Sequence, residues 1–393
     1  MKEWIKISDL LFFQEGPGVR NTQYTQSGVK LLNVANLVNG KVDLSTSDRY
    51  ISEDEAYGRY KHFLCDDGDF IIASSGIKVE YFDRKMGFVD SSMLPLCMNT
   101  STIRFKVIDS KRLNIKYFMY YLKSIHFKQQ LSKFITGSAQ LNFGPSHLKK
   151  MNMPLVSLKE QNDIVEKLSK VELLLDKYNG EIKLLDELIK ARFVEMFGGI
   201  NDSIVYPYKK LNEITIIISG GTPKRDKPEY WEDGIIPWVK TTELKNNKIT
   251  YVEEHITQKG LSESSAKLVP QGTVLIAMYG QGKTRGMTAY LNVEASTNQA
   301  CACILPSEKI NSVFLWKYLE FSYVKLRSLA KGAGQPNLNV NMIKEFSVLV
   351  PPLNLQEEYA SFVEEIDKSR SRIQKSLEAS QELFDSLMQE YFG

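Results

Sequence analysis

Cysteine is scarce in this chain, with only Cys65, Cys97, Cys301 and Cys303 among 393 residues. Their spacing forms no paired framework, so a disulfide scaffold is excluded and a reduced, cytoplasmic setting is expected. The histidines (His62, His126, His147, His255) are equally few and scattered. Cys301-Ala-Cys303 alternates along an expected strand with no second pair or histidine at metal spacing, so no metal site is expected. No run approaches the roughly 18 apolar residues of a membrane span. The opening Met1-Lys-Glu-Trp-Ile-Lys6 also lacks the basic-then-apolar form of a signal peptide.

Catalytic signatures are missing as well. Ala277-Met-Tyr-Gly280-Gln-Gly282-Lys283-Thr284 ends like a phosphate-binding loop, but alanine stands at the first glycine position. Gly280-Gln-Gly282-Lys-Thr-Arg-Gly286 has one residue too many for a dinucleotide fingerprint. No Asn/Asp-Pro-Pro-aromatic tetrad of an adenine methyltransferase occurs, and Pro351-Pro352-Leu353 lacks both flanks. Glu243-Leu-Lys245 and Glu181-Ile-Lys183 resemble the tail of a nuclease metal motif, a triplet that chance supplies in any charged chain. The chain is therefore expected to carry no catalytic residues and to bind no cofactor.

What the sequence does have is an internal repeat. Gly137-Ser-Ala-Gln140-Leu-Asn142 returns 195 residues later as Gly332-Ala-Gly-Gln335-Pro-Asn337. Leu158-Lys-Glu-Gln161 returns as Leu353-Asn-Leu-Gln356, and Glu195-Met-Phe197-Gly198 as Glu390-Tyr-Phe392-Gly393. A period this long implies duplication of a domain-sized unit rather than a solenoid. Charge alternates in step. Residues 1–158 carry 21 basic against 15 acidic side chains and residues 198–353 carry 18 against 14. Residues 159–197 carry 7 against 9, and residues 354–393 carry 4 against 9. A modest basic excess in the two larger blocks suits a polyanion but does not by itself require one.

The acidic stretches predict long helices. Ile164, Leu168, Val171, Leu175, Tyr178, Ile182, Leu185 and Ile189 recur in 4-then-3 spacing, the pattern of a coiled-coil seam. The equivalents in the second copy are Tyr359, Val363, Ile366, Arg370, Ile373, Leu377, Ser380 and Phe384, six of them apolar. Only Asn179-Gly180 weakens the first helix. Each helix is expected to span about 38 residues, nearly 60 Å at roughly 1.5 Å per residue. Pairing with each other, antiparallel, would bury both stripes. Packing of each helix on its own domain is the alternative.

Both larger blocks mix strand and helix signals. Gly68-Asp-Phe70-Ile71-Ile72-Ala73-Ser-Ser-Gly76 predicts a turn, a buried strand and a glycine exit, and Gly272-Thr-Val274-Leu275-Ile276-Ala277-Met-Tyr-Gly280 repeats it at an offset of 204. Trp4-Ile-Lys-Ile7 pairs with Tyr208-Lys-Lys-Leu211 at the same offset. Tyr117-Phe-Met-Tyr-Tyr-Leu122 and Phe314-Leu-Trp-Lys-Tyr-Leu319 predict an aromatic core helix in each block. The drifting offset places insertions between constant elements, as on a fixed scaffold carrying variable loops. The expected architecture is α+β. Two similar mixed α/β domains, residues 1–155 and 199–350, are joined by long helices within 156–198 and 351–393 in a pseudo-two-fold arrangement.

Taken with Ser219-Gly-Gly-Thr222-Pro223…Tyr230-Trp231…Ile236-Pro237-Trp238-Val239 and Pro351-Pro352-Leu353…Gln356, this plan resembles the DNA-specificity subunit of Type I restriction–modification enzymes. The first copy departs from it with Leu155-Val-Ser-Leu158 in place of Pro-Pro-Leu, and the second has Leu355 where the first has Glu160. The resemblance implies two target-recognition domains, each reading half of a bipartite site in double-stranded DNA. It also implies a helical spacer, two docked adenine-N6 methyltransferase subunits holding S-adenosylmethionine, and a pair of restriction subunits that can join.

Arg and Lys suit guanine, and Asn and Gln suit adenine. The loop-borne candidates for DNA binding are therefore Arg20, Asn21, Gln23, Ser75 and Lys78, then Lys224, Arg225, Lys240, Tyr279, Gln281, Lys283 and Arg285. For each, a solvated loop position or a phosphate contact is the alternative. Gln140, Asn142, Gln161, Gln335, Asn337 and Gln356 belong to the repeated framework and are assigned to fold or subunit docking. A two-headed coiled-coil scaffold, or a DNA-binding protein outside restriction–modification, is the competing reading.

Overall fold

The computed structural model describes residues 3–133, 142–200, 205–280, 282–330 and 337–393. The chain divides into two compact units, Met1–Lys177 with Ser376–Gly393, and Tyr178–Lys375. The division cuts both long helices, so each unit holds one globular block and part of each helix.

In the first unit, Glu3–Lys6 pairs antiparallel with Asn152–Leu155. The main antiparallel sheet runs in the order Leu11–Glu15, Thr102–Val107, Phe70–Ala73, Met86–Phe88. Every residue of Phe70–Ala73 is buried, as its unbroken apolar run predicts. A smaller sheet sets Val29–Leu32 antiparallel to Tyr50–Ile51 and parallel to Leu96–Met98. Helix Ile115–Lys123, capped by the Asn114 side chain, drives Tyr117, Phe118, Tyr121 and Leu122 into the core.

The second unit repeats this order. Tyr208–Lys210 pairs with Ser347–Leu349. The main sheet is Ile217–Ser219, Cys301–Ile304, Val274–Ala277 and Thr288–Leu291, with Asn247–Ile249 added parallel at its edge. The smaller sheet again joins a parallel pair, Ile236–Val239 with Ala295–Thr297, to the antiparallel His255–Ile256. Asn311 caps the helix Ser312–Phe321, which buries Phe314, Leu315, Trp316, Tyr318 and Leu319.

The long helices span Leu158–Phe197 and Leu353–Phe392, 40 residues each, so the 195-residue offset holds at both ends. The first runs unbroken through Gly180. Within each unit the helix segments pair antiparallel. In the second unit Arg192 pairs with Glu358 at 2.8 Å, the Tyr359 hydroxyl donates to the Ile189 carbonyl at 3.2 Å, and Arg370 meets Asp186 at 2.5 Å. In the first unit the Lys167 ammonium donates to the Tyr391 hydroxyl at 3.3 Å, while Tyr120 touches both Glu172 and Phe384. The two alternatives for the helices are thus both realised, because each half also packs on its globular block. Tyr117 and Tyr121 pack at a tilt against Phe392 in one unit, and Phe314 packs on Phe193, Phe197 and Tyr359 in the other. Burying a phenylalanine in this way contributes about 2–3 kcal/mol.

The departures at the helix entries resolve into two chemistries for one geometry. In the first copy Ser157 and Glu160 form a reciprocal cap. The Glu160 carboxylate accepts from the Ser157 amide at 3.1 Å, and the Ser157 hydroxyl accepts from the Glu160 amide at 3.3 Å. In the second, Pro351-Pro352 presets the backbone instead. The amides of Gln161 and Gln356 then donate to the equivalent carbonyls of Ser157 and Pro352, at 2.9 and 3.2 Å.

Candidate nucleic-acid interface

Where the central buried strand leaves the main sheet, each unit builds the same exit. The carbonyl of the next residue, Ser74 or Met278, accepts the backbone N–H of Phe143 or Leu338, both at 3.0 Å. Glycine follows in the left-handed region, Gly76 at φ 74° and Gly280 at φ 138°, a conformation other residues adopt only with strain. Beyond it the loops differ. The first exposes Lys78 next to the half-buried Ser75, whose hydroxyl bonds Ser101 at 2.7 Å. The second exposes Tyr279 and Lys283 and is braced from below. The Tyr323 hydroxyl donates to the Lys283 carbonyl at 2.7 Å, and Arg327 donates to the Arg285 carbonyl at 2.8 Å. Arg285 itself is half-buried, and Gln281 lies outside the described residues.

A second set of candidates follows the first strand of each main sheet. Gly16 and Gly220 pass so close to the neighbouring loop that a Cβ on either would stand 2.1 Å from Asn99 O or Thr297 Oγ1. After this point Arg20 and Asn21 are exposed. Gln23 is held, its amide donating to Glu55 at 2.6 Å and Tyr60 at 3.1 Å, while its oxygen accepts the Arg20 amide at 3.0 Å.

In the second unit Lys224 is exposed, whereas Arg225 and Lys240 are engaged. The Arg225 guanidinium lies 3.7 Å from the Trp231 ring centroid and 4.8 Å from that of Trp238, and pairs with Glu254 at 2.7 Å. Lys240 bridges Glu253 and Glu254, each at 2.9 Å. Burial pushes the Glu254 carboxyl up, but the Lys240 and Arg225 contacts outweigh it and hold the group below its ordinary range. Glu253 and Glu254 stand nearly 30 residues beyond Arg225, so no local pattern in the sequence pointed to them. The nearby Tyr230-Trp231 and Trp238 were the only hint of an aromatic seat.

The framework residues divide sharply. Gln161 and Gln356 are fully buried. The Gln161 amide donates to the carbonyls of Arg112 and Val156, both at 2.9 Å, and accepts the Asn114 amide at 2.9 Å. Gln356 donates to Pro351 at 2.7 Å and accepts from Asn311 at 2.8 Å. Asn142 and Asn337, by contrast, are exposed, and Asn142 bridges Ser75 across the strand exit. Gln140 and Gln335 lie outside the described residues.

The thiols are inert by position. Burial pushes Cys65 and Cys97 up to about 12 and Cys303 to about 11. Cys301, wholly buried on the same strand, is also raised. Among the described residues no helix is long and apolar enough to cross a membrane.

Residues 2–185 and 206–381 each match the family model of the Type I restriction modification DNA specificity domain. The chain is 24% identical over 267 residues to the specificity subunit of Type I restriction enzyme EcoR124I/EcoR124II from Escherichia coli, covering 66% of this chain and 64% of that one. The aligned part is thus just under two thirds of that relative. The MjaIX specificity subunit of Methanocaldococcus jannaschii is 22% identical over 323 residues, 77% of this chain and 73% of the relative. In fold, the chain resembles the crystal structure of the Type I restriction–modification S subunit from M. genitalium, with a TM-score of 0.64 at 17% identity over 100% of this chain and 96% of that one. With two copies of the domain, each spanning one globular block and running into the long helix that follows it, the chain belongs to the Type I restriction modification DNA specificity family.

Proposed function

We propose that this chain is the sequence-reading subunit of a Type I restriction–modification complex, each globular block recognising one half of a bipartite site in double-stranded DNA. The observation that carries the reading is the doubled strand exit. The same backbone bond, Phe143 to Ser74 and Leu338 to Met278, presents different loop residues in the two units. A constant scaffold with unlike loops suits two readers of unlike sequences.

In this reading the chain is non-catalytic. Two adenine-N6 methyltransferase subunits, holding S-adenosylmethionine, dock on the framework, and restriction subunits can join them. The long helices set the number of unread base pairs between the half-sites, as fixed element spacing does in other DNA-binding proteins. Arg20, Asn21, Lys78, Lys224, Tyr279 and Lys283 are the exposed candidates for DNA contact. Arg225, also exposed, and Lys240 carry charge already engaged by the Glu254 cluster.

Co-expression with an adenine methyltransferase partner, followed by base-resolution methylation mapping, tests the proposal. New methylation at a split motif is expected. Absence of new methylation, together with DNA binding that is indifferent to salt, would instead favour a two-headed scaffold.

A further inference from the structure

We propose that Asn142 and Asn337 are a matched pair of DNA-backbone contacts, one per unit, that seat each strand-exit loop on the duplex. This rests on the DNA-reading function above.

The two asparagines share one place in the fold. Each precedes the residue, Phe143 or Leu338, that bonds the strand exit, and each is exposed while that next residue is buried. Of the repeated polar framework residues that are described, Gln161 and Gln356 spend their amides inside the fold. The Asn142 and Asn337 side chains have no hydrogen-bond partner among the described residues. An unspent amide, identical in both units and held in place by the backbone bond of the residue that follows it, is built to contact something outside.

The neighbours say what that is. The same side chain stands at exits that continue into unlike residues: Asn142 bridges Ser75 in one unit, and in the other the Leu338–Met278 bond sets Asn337 at the exit that continues into Tyr279. A group common to two readers cannot carry the difference between their sequences, and its place at the exits of the loops assigned to DNA points to what both half-sites share. On duplex DNA that is the sugar–phosphate backbone, whose oxygens accept from asparagine amides and fix register without specifying sequence. Each exit continues into a loop carrying an exposed lysine, Lys78 or Lys283, a charge of the sign that attracts a polyanion.

The test uses the complex with its methyltransferase partner, carrying Asn142→Ala, Asn337→Ala, or both. Binding is measured to the mapped cognate duplex and to an unrelated duplex of equal length. Each single substitution should weaken both by the same factor, on the order of 10-fold for a hydrogen bond to a charged acceptor. The salt dependence and the methylated motif should stay unchanged, and Asn→Asp should be worse than Asn→Ala at either position.

Several results would overturn the assignment. Loss confined to the cognate duplex with a relaxed motif would make the asparagines base readers. Loss of the partner at unchanged thermal unfolding would make them docking residues. Wild-type affinity would make them bystanders. If the wild-type complex itself methylates no split motif, the functional reading fails first and is recognised separately.

Discussion

The oxygen of the buried Gln356 side chain accepts the backbone N–H of Asn311 at 2.8 Å, and 195 residues earlier Gln161 accepts that of Asn114 at 2.9 Å. Each glutamine thereby ties the first turn of a long helix to the cap of the aromatic helix beneath it. Replacing either by leucine removes the partner of the Asn114 or Asn311 amide and of one or two carbonyls, Arg112 and Val156 or Pro351. We expect a loss of about 2–4 kcal/mol, read as a lower urea midpoint, for Gln161→Leu and Gln356→Leu alike. A surface role would leave the midpoint where it was.

Arg104 and Asp69 form a buried ion pair at 3.1 Å, with side chains only 6% and 3% exposed. Arg104 also donates to the Leu64 and His62 carbonyls, at 2.7 and 2.9 Å. Arg104→Ala leaves the buried Asp69 carboxylate with only the more distant Lys106 ammonium, at 3.5 Å, and the Asp66 amide, and should cost about 3 kcal/mol. The double variant Arg104→Met with Asp69→Leu should recover part of that loss in denaturant titrations. A double variant as unstable as the sum of its parts would contradict the pairing.

The Glu254 cluster gives a pH dependence with a fixed sign. Its carboxyl is held below the ordinary value of 4.5 when folded. Its stabilising contribution is therefore present above that value and lost as pH falls through the lowered one. Glu254→Gln should flatten the fall in unfolding temperature between about pH 5 and pH 3. An identical profile in wild type and variant would mean that the cluster contributes nothing.

Lys283 is exposed on a strand-exit loop, whereas Arg225 is already paired with Glu254. Lys283→Ala should lower the slope of log affinity against log salt by about 0.9 for one lost phosphate contact. Arg225→Ala should lower it less, because an internal ion pair releases fewer counterions. Equal slopes would show that Arg225 leaves its seat on the DNA.

The sequence made the long helices legible because the 4-then-3 spacing of Ile164 through Ile189 needs no knowledge of the partner. The buried strands Phe70–Ala73 and Val274–Ala277 were equally plain, as apolar runs closed by glycine. The unit boundary within each helix was not legible, since a continuous helix does not mark where its packing partner changes. Nor was the engagement of Arg225 and Lys240. It depends on Glu253 and Glu254 arriving from beyond the strand Asn247–Ile249. The short parallel pair Val29–Leu32 with Leu96–Met98 was hidden for the same reason, as its register joins Leu31 to Cys97 across a long loop.

The central claim is that the two blocks read DNA independently, and one measurement tests it most directly. Residues 1–150 are exchanged for those of a relative, the hybrid is co-expressed with the methyltransferase partner, and methylation is mapped at base resolution beside the parent. The account predicts a split motif in which one part changes while the other part is retained. A motif altered in both parts, or one that is not split at all, would contradict it.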